Sequence, residues 1–190
     1  MDAAHVLIPL KRLDDAKSRL AHVLSPEERV ALMLDLLHAS IAAAEEADVG
    51  PVTVVSSEPV EIEVPRFDDR GLAWNDALAA AMREVGEPIA TVVSADLPRV
   101  SAEDVRALVA ATPDQGMAIA RALDGGTNAV SMRPPGAVLT HFGDPQSAAV
   151  HAHATAAAGL AARIIDVPGL AFDVDTPADL EELHASHAGL

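Results

Sequence analysis

Three aspartates in this sequence occupy positions from which carboxylates could share a divalent cation. Asp96 follows the apolar run 88–93, and Asp173 and Asp175 are separated by one residue. In an extended segment, residues i and i+2 project to the same side, so this pair would face one point. Two carboxylates held together repel each other, and Mg²⁺ removes that cost because it prefers carboxylate, water and phosphate oxygens. We therefore predict that Asp96, Asp173 and Asp175 bind Mg²⁺.

These aspartates also have a structural interpretation. Asp96 could cap a loop or a helix, and acidic residues before Thr176-Pro177 would favour the positive end of a helix that begins there. The combination of the Asp-x-Asp pair with a third aspartate at the end of a predicted strand favours the metal site.

Positive charge is scarce in the chain and concentrated in one segment. Four of the thirteen basic residues fall within nine positions after the first predicted strand: Lys11, Arg12, Lys17 and Arg19. Such clusters are often solvated surface patches, but the carboxyl end of a strand favours phosphate binding. Neither a G-x-G-x-x-G pattern nor a Walker lysine motif is present. We therefore expect side chains and backbone amides of the 11–19 loop to hold phosphates.

Two further segments carry groups that could bind an anion. In Asp-Gly-Gly-Thr-Asn (124–128), Asp-Gly is a good hairpin turn, but paired glycines also let backbone amides approach an anion beside the Thr127 hydroxyl. Gly-Asp-Pro-Gln-Ser (143–147) precedes an alanine-rich helix, whose N-terminal amides could add to such a site. Spacing alone leaves both interpretations of 124–128 open.

The eight histidines are interpreted as surface or packing residues. His151 and His153 are two positions apart, so on a helix they face different directions and make a poor metal pair. Neither an H-E-x-x-H nor a G-x-S-x-G motif is present.

The elements that must position these residues alternate along the chain. Apolar, β-rich runs predict strands at 5–10, 51–56, 61–64, 88–93, 117–122, 129–132 and 162–166. Helical patterns begin at Pro26, with Ser25 and Glu28 as a capping box, and recur at 72–85, 101–111, 148–158 and from Thr176 onward, where Asp179 lies at N3. This alternation implies a mainly parallel sheet with helices on both faces. Its ligands would bind at the carboxyl ends of the strands.

Composition restricts the classes of function. The 190 residues are half apolar and include no segment like a long linker, so we predict a single α/β domain spanning 1–190. A net charge of −16 repels nucleic acid and anionic membranes, and we expect neither as a partner. No apolar run approaches the roughly 20 residues that span a bilayer. With no cysteine and no secretory signal at the start, the sequence predicts a cytoplasmic protein. A homodimer is left open.

Taken together, these segments resemble the guanylyltransferases of deazaflavin coenzyme (F-420) biosynthesis, which act on 2-phospho-L-lactate or phosphoenolpyruvate. The resemblance covers nearly the whole chain and implies a Rossmann-like nucleotidyltransferase fold related to the nucleotide-diphospho-sugar transferases. It is carried by six segments: 9–20, 25–29, 94–98, 125–129, 141–143 and 173–177.

The resemblance also implies roles on the nucleotide side. The matching aspartates hold Mg²⁺, which agrees with the prediction for the three carboxylates. Lys11 and Lys17 would face the GTP phosphates, with Arg19 in the same loop. Asp96 and Asn75, which lies in Leu-Ala-Trp-Asn-Asp-Ala-Leu (72–78), would lie near the nucleotide.

On the acceptor side, the resemblance implies that Thr127, Gly143 and Ser147 bind the phospho-acid. The segment 143–147 is one residue longer than the family's usual spacing, so Gln146 could take the place of Ser147. Trp74, which precedes Asn75, also departs from the family's pattern.

The expected reaction needs no protein nucleophile. A phosphate oxygen of the acid would attack the α-phosphorus of GTP and release pyrophosphate, assisted by the three aspartates and by Lys11 or Lys17. Phosphoenolpyruvate is the favoured acceptor. The alternatives are a nucleotidyltransferase for another acceptor (3-phosphoglycerate, a sugar phosphate or a molybdopterin) and a non-catalytic nucleotide-binding domain.

Overall fold

A computed structural model describes residues 2–187 of the chain. They form seven strands, β1 (Ala4–Pro9), β2 (Val52–Val55), β3 (Arg66–Phe67), β4 (Ile89–Val93), β5 (Gly116–Arg121), β6 (Thr127–Arg133) and β7 (Ala161–Ile165). The helices are α1 (Pro26–Ala47), α2 (Trp74–Met82), α3 (Ala102–Ala110), α4 (Ser147–Ala157), α5 (Pro168–Ala171) and α6 (Pro177–His187). Two short 3-10 helices, Leu13–Asp15 and Ser18–Leu20, shape the loop after β1.

The strands form one mixed sheet in the order β3-β2-β1-β4-β6-β5-β7. Only β6 is antiparallel to its neighbours, so the prediction of a mainly parallel sheet is confirmed. Because β6 runs in the opposite direction, it begins at the edge where β1 and β4 end. The backbone N–H of Ser94 donates to the carbonyl of Asn128 at this edge, over 2.9 Å.

Helices cover both faces of this sheet, as predicted. Along β1, Val6 and Ile8 pack with α1 and α3 on one face, whereas Leu7 packs with α2 and α4 on the other. All five residues of β4 are buried because both faces of this central strand are covered. Strand alternation therefore divides the core into two layers.

The starts predicted for α1 and α6 are confirmed by their caps. At α1, the N–H of Glu28 donates to Ser25 Oγ (3.2 Å), while the N–H of Ser25 donates to Glu28 Oε2 (2.8 Å). At α6, the N–H of Thr176 donates to Asp179 Oδ2 (2.6 Å). These reciprocal bonds satisfy N–H groups that lack partners in the first turn.

The strand predicted at 61–64 is wrong. Only Arg66 and Phe67 pair with the end of β2, and residues 61–64 form no ladder. Their alternating apolar residues reflect packing instead, because Val64 is buried in the core and Ile62 packs against it. An alternating pattern records which side chains are buried, and it does not require a hydrogen-bonded neighbour.

Two further observations concern the limits of the domain and membrane-spanning helices. The predicted domain 1–190 includes residues 1 and 188–190, which lie outside the described residues, so its boundaries stay a prediction. Between residues 2 and 187, no helix has both the length and the apolar composition needed to cross a membrane.

Candidate active site

The three predicted carboxylates meet at the edge where β4 ends. Asp96, Asp173 and Asp175 each offer one oxygen, and these three oxygens lie within 4.8 Å of one another. Asp96 follows β4, and Val174 is fully buried, which leaves its two acidic neighbours at the cluster. This carboxylate cluster (Asp96, Asp173 and Asp175) could hold a metal ion.

Asp173 is the member of the cluster whose charge is least compensated. Burial, together with the charges of Asp96 and Asp175, raises the pKa of Asp173 to about 6. Asn128 Nδ2 donates to Asp173 Oδ1 over 3.3 Å, which offsets only part of that cost. The cluster therefore favours the arrival of further positive charge.

Lys17 brings a positive charge into the carboxylate cluster. Its Nζ donates to Asp96 Oδ2 (2.6 Å) and to Asp175 Oδ1 (3.0 Å), and its side chain is only 4% exposed. Burial alone would lower the pKa of Lys17, but the charges of Asp96 and Asp175 outweigh it and raise the pKa. Lys17 takes a left-handed backbone conformation (φ 47°) between the two 3-10 helices, which places its ammonium group among the carboxylates.

The other three basic residues of the loop are placed differently. Arg19 is mostly exposed and approaches Asp175 Oδ2 at 3.4 Å. Lys11 Nζ lies 3.7 Å from the centre of the Trp74 ring, and partial burial lowers the pKa of Lys11. Arg12 pairs with its neighbour Asp14 on the surface.

A cleft of about 540 Å³ opens beside the carboxylate cluster. It is lined by residues of the 11–19 loop, by 55–57 after β2, by part of the 69–74 segment, and by Asp96 and Asp175. Its volume falls in the range of small-ligand sites. The structure thus brings Lys11, Lys17 and Arg19 to one cleft with two of the carboxylates.

A row of rings runs from the cleft, which Trp74 lines, into the protein. The Trp74 ring stacks on Phe142, with centroids 5.8 Å apart and planes 12° from parallel. Phe142 in turn meets the His151 ring edge-on at 5.4 Å. Trp74 therefore contacts Lys11 through its ring and packs against the 140–142 segment through Phe142.

Asn75 does not line the cleft. Its Oδ1 accepts from Thr140 Oγ1 (2.9 Å) and from the N–H of Phe142 (3.0 Å), and its Nδ2 donates to the Phe142 carbonyl (3.1 Å). These bonds fasten the first turn of α2 to the 140–142 segment. Its contact with the nucleotide stays a prediction.

The residues predicted for the phospho-acid lie at the start of β6 and around the start of α4. Thr127 and Ser147 are buried, whereas Gly143 lies in an exposed turn with φ +90°, a conformation that suits glycine. Ser147 Oγ is buried without a hydrogen-bond partner among residues 2–187. Gln146 is exposed, so Ser147 is the inward-facing member of the pair that the sequence left open.

His151 is the polar residue that sequence reasoning undervalued. It is fully buried, its Nδ1 lies 3.1 Å from Thr127 Oγ1, and the N–H of His141 donates to its Nε2 over 2.8 Å. The overlooked signal is a polar stripe at a spacing of four, Ser147, His151 and Thr155, on an otherwise alanine-rich helix. A spacing of four places side chains on one helix face, and here all three are buried. We call Thr127, Ser147 and His151 the hydroxyl site.

Comparisons with known proteins decide the family. A family model described as "Guanylyl transferase CofC like" matches residues 4–189. The chain belongs to this family. A phosphoenolpyruvate guanylyltransferase of Sphaerobacter thermophilus is 42% identical over 96% of this chain and 92% of its own. A 2-phospho-L-lactate guanylyltransferase of Haloarcula marismortui is 37% identical over 90% of this chain and 82% of its own.

Solved structures agree on the fold of this guanylyltransferase family member. A nucleotidyl transferase from Methanothermobacter superposes with a TM-score of 0.70 at 16% identity, covering 99% of this chain and 98% of that one. A Mycobacterium tuberculosis H37Rv protein in complex with manganese gives a TM-score of 0.58 at 16% identity, covering 98% and 100%. The predicted nucleotidyltransferase fold is confirmed.

Proposed function

We propose that this guanylyltransferase transfers GMP from GTP to the phosphate of phosphoenolpyruvate and releases pyrophosphate, within coenzyme F-420 biosynthesis. The observation that carries this proposal is the placement of the carboxylate cluster and Lys17 beside a nucleotide-sized cleft. The Sphaerobacter relative named for phosphoenolpyruvate is 42% identical and the Haloarcula relative named for 2-phospho-L-lactate is 37% identical, which favours the first acceptor. Because GTP and both acids are cytoplasmic metabolites, the reaction would take place in the cytoplasm.

On the nucleotide side, we assign the triphosphate of GTP to the 11–19 loop. Lys11, Lys17 and Arg19 all border the cleft, and they are among the few cations of a strongly acidic chain. An anion can bind to such a chain only where positive charge is concentrated. Asn75 contributes indirectly, by holding Trp74 and the start of α2 against the cleft.

The carboxylate cluster fits Mg²⁺. Its three carboxylates offer only oxygen ligands, and burial together with the charges of Asp96 and Asp175 raises the pKa of Asp173, a cost that a bound cation would offset. Asp96, Asp173 and Asp175 would hold the ion, which when bound supplies positive charge to neutralise the phosphates of the transition state.

In the reaction, an oxygen of the acceptor phosphate forms a bond to the α-phosphorus of GTP. The bond from that phosphorus to the β-phosphate oxygen breaks, and pyrophosphate leaves with the electron pair. The attacking oxygen is already anionic, so no side chain has to remove a proton. The chain's own contribution is to orient the two anions and to offset their charge through Lys11 and Lys17.

On the acceptor side, we assign the acid to Thr127, Gly143 and Ser147. Thr127 precedes Asn128, whose side chain contacts Asp173, so this site adjoins the carboxylate cluster. Ser147 carries a buried hydroxyl that has no hydrogen-bond partner within the described part of the chain. We therefore assign it a hydrogen bond to the bound acid. The N-terminal amides of α4 add a favourable field for an anion.

Incubation with GTP, Mg²⁺ and each acid tests this function. We expect pyrophosphate release with phosphoenolpyruvate and a product whose mass equals that of the acid plus GMP. Controls omit the metal, replace GTP by CTP, or use Asp175→Asn. The proposal fails if no acid among phosphoenolpyruvate, 2-phospho-L-lactate and 3-phosphoglycerate gives release above the metal-free control.

A further inference from the structure

The protonation of His151 is fixed by its neighbours. The backbone N–H of His141 donates to Nε2 over 2.8 Å, and a peptide N–H can only donate. Nε2 must therefore carry a lone pair, and the ring proton of the neutral imidazole must lie on Nδ1. If Nε2 were protonated, its N–H would face the backbone N–H of His141, and neither group could accept a hydrogen bond.

The surroundings of the ring keep it neutral. His151 is fully buried beneath Phe142 and beside the His141 ring, whose centroid lies 5.7 Å away. Burial, and to a lesser degree His141, lower the pKa of His151 to about 4, against a backbone hydrogen bond with Ser147 that raises it. The Nδ1–H form therefore persists at neutral pH.

This tautomer determines the direction of the next hydrogen bond. Nδ1 lies 3.1 Å from Thr127 Oγ1 and carries the proton, so the hydroxyl cannot donate to Nδ1 and can only accept at this contact. A hydroxyl that accepts at one lone pair still has its own proton to donate. Among residues 2–187, the contact with His151 Nδ1 is the only hydrogen bond that this hydroxyl makes.

We propose that His151 is a positioning residue that turns the Thr127 hydroxyl into a dedicated donor to an anionic oxygen of the acceptor acid. The inference rests on the proposed function, because it names the ligand of that same site as a phosphorylated carboxylic acid. Without the imidazole, the Thr127 hydroxyl could rotate and donate its proton to another acceptor.

A neutral hydrogen-bond donor suits the acceptor acid of this reaction for a chemical reason. The acid supplies the attacking phosphate oxygen, and a lysine or arginine pressed against it would hold back the electron pair that must form the new bond. A hydroxyl whose orientation is fixed by His151 can orient the acid while leaving most of the negative charge on the attacking phosphate oxygen. Lys11, Lys17 and Arg19 border the cleft and the carboxylate cluster instead.

Steady-state kinetics on four variants tests the proposal: His151→Leu, His151→Asn, Thr127→Val and the double variant. His151→Leu should raise KM for the acid about tenfold with KM for GTP within about twofold, because one oriented hydrogen bond is lost. His151→Asn retains a donor near the Nδ1 position and should recover part of that loss. In the Thr127→Val background, His151→Leu should change KM for the acid less than about twofold, since the hydroxyl is already absent.

The matched control is His153→Leu, which changes an exposed histidine two positions along the same helix and should leave both KM values unchanged. GTP binding is followed independently through the fluorescence of Trp74, the only tryptophan in the chain. If His151→Leu does not fold, His151→Asn and Thr127→Val still decide the matter. As a spectroscopic check, nitrogen chemical shifts of His151 at neutral pH should show protonation at Nδ1.

Three results would overturn the positioning role while leaving the proposed function in place. They are a proton on Nε2, equal rises in KM for GTP and acid in His151→Asn, and fully additive effects of the Thr127 and His151 substitutions. An inactive wild-type protein with every acid would instead reject the proposed function itself. The two failures are therefore distinguishable.

Discussion

The carboxylate cluster and the hydroxyl site lie at one edge of the sheet but are stabilised in opposite ways. In the carboxylate cluster, charges face one another and remain partly open to solvent, with the Asp175 side chain 42% exposed. In the hydroxyl site, Thr127, Ser147 and His151 are all buried and the imidazole is neutral. Asn128, which follows Thr127 in β6, donates a hydrogen bond to Asp173 and so links the two regions.

Under the proposed function, this difference would let one sheet edge receive two anions, GTP and the acid, for different purposes. The carboxylate cluster is incomplete without external charge, because Lys17 offsets only part of its repulsion. In the hydroxyl site, His151 already holds the Thr127 hydroxyl, so the acid that we propose for this site would only have to supply an oxygen. We therefore expect the cluster to respond to metal and pH, and the hydroxyl site to respond to geometry.

The largest expected effect is a loss of catalytic rate, and it concerns the carboxylate cluster. Asp175→Asn should lower kcat/KM by about 1000-fold, because it removes a charged oxygen ligand from the metal site, while its fold is retained. Pyrophosphate release at saturating GTP measures this loss. The control is Asp166→Asn, which removes an exposed carboxylate paired with Arg121 and should stay near wild type. A loss below about tenfold in Asp175→Asn would mean that the cluster is not the catalytic centre.

The next effect tests whether Lys17 balances the cluster. Lys17→Met should lower the free energy of unfolding by about 2 kcal/mol without metal, since it leaves partly buried carboxylates unpaired. Saturating Mg²⁺ should restore most of that loss. Thermal unfolding with and without the ion measures both values, and Arg19→Met, at an exposed side chain, is the control. Equal losses with and without Mg²⁺ would contradict this account.

A third prediction uses pH to distinguish the regions. The pKa of Asp173 is raised to about 6, so Mg²⁺ affinity should fall as the pH drops through about 6 and the carboxylate takes up a proton. Stability without metal has the opposite sign, because the folded state binds that proton more tightly. It should be greatest below the ordinary pKa of 3.8 and decrease by about 2 kcal/mol as the pH rises from there through about 6.

The Asp173 prediction has a direct control. Titration calorimetry and thermal unfolding across this pH range should show both trends in the wild-type protein, and Asp173→Asn should abolish the pH dependence of stability in this window. If the variant keeps that dependence, another group is responsible for it.

The smallest effect concerns the hydroxyl site in the free protein. Ser147→Ala should raise the free energy of unfolding by about 1 kcal/mol, because it removes a buried hydroxyl that lacks a partner in the part of the chain described. The same change should weaken binding of the acid. Ser40→Ala is the matched control and should be destabilising, since Ser40 Oγ donates to the carbonyl of Ser94. A destabilised Ser147→Ala would show that its hydroxyl already has a partner.

Much of the fold could be predicted because its signals are local. The capping residues Ser25 and Glu28 lie three positions apart, and the apolar Val174 sits between two acids, so near neighbours alone determine what these segments do. The strand at 61–64 was predicted wrongly because alternation shows burial but not pairing. The short helix α5 was missed because four residues carry too little periodicity.

The amino-acid sequence by itself determined where the strands end and which acids and hydroxyls follow them, because backbone propensity and side-chain alternation act between near neighbours. Only the tertiary structure decided that Lys17 reaches Asp96 and Asp175, which are 79 and 158 positions away. It likewise decided the tautomer of His151, through the backbone of His141 and the hydroxyl of Thr127. Such contacts depend on how the sheet edge brings distant loops together, and that packing is a property of the whole fold.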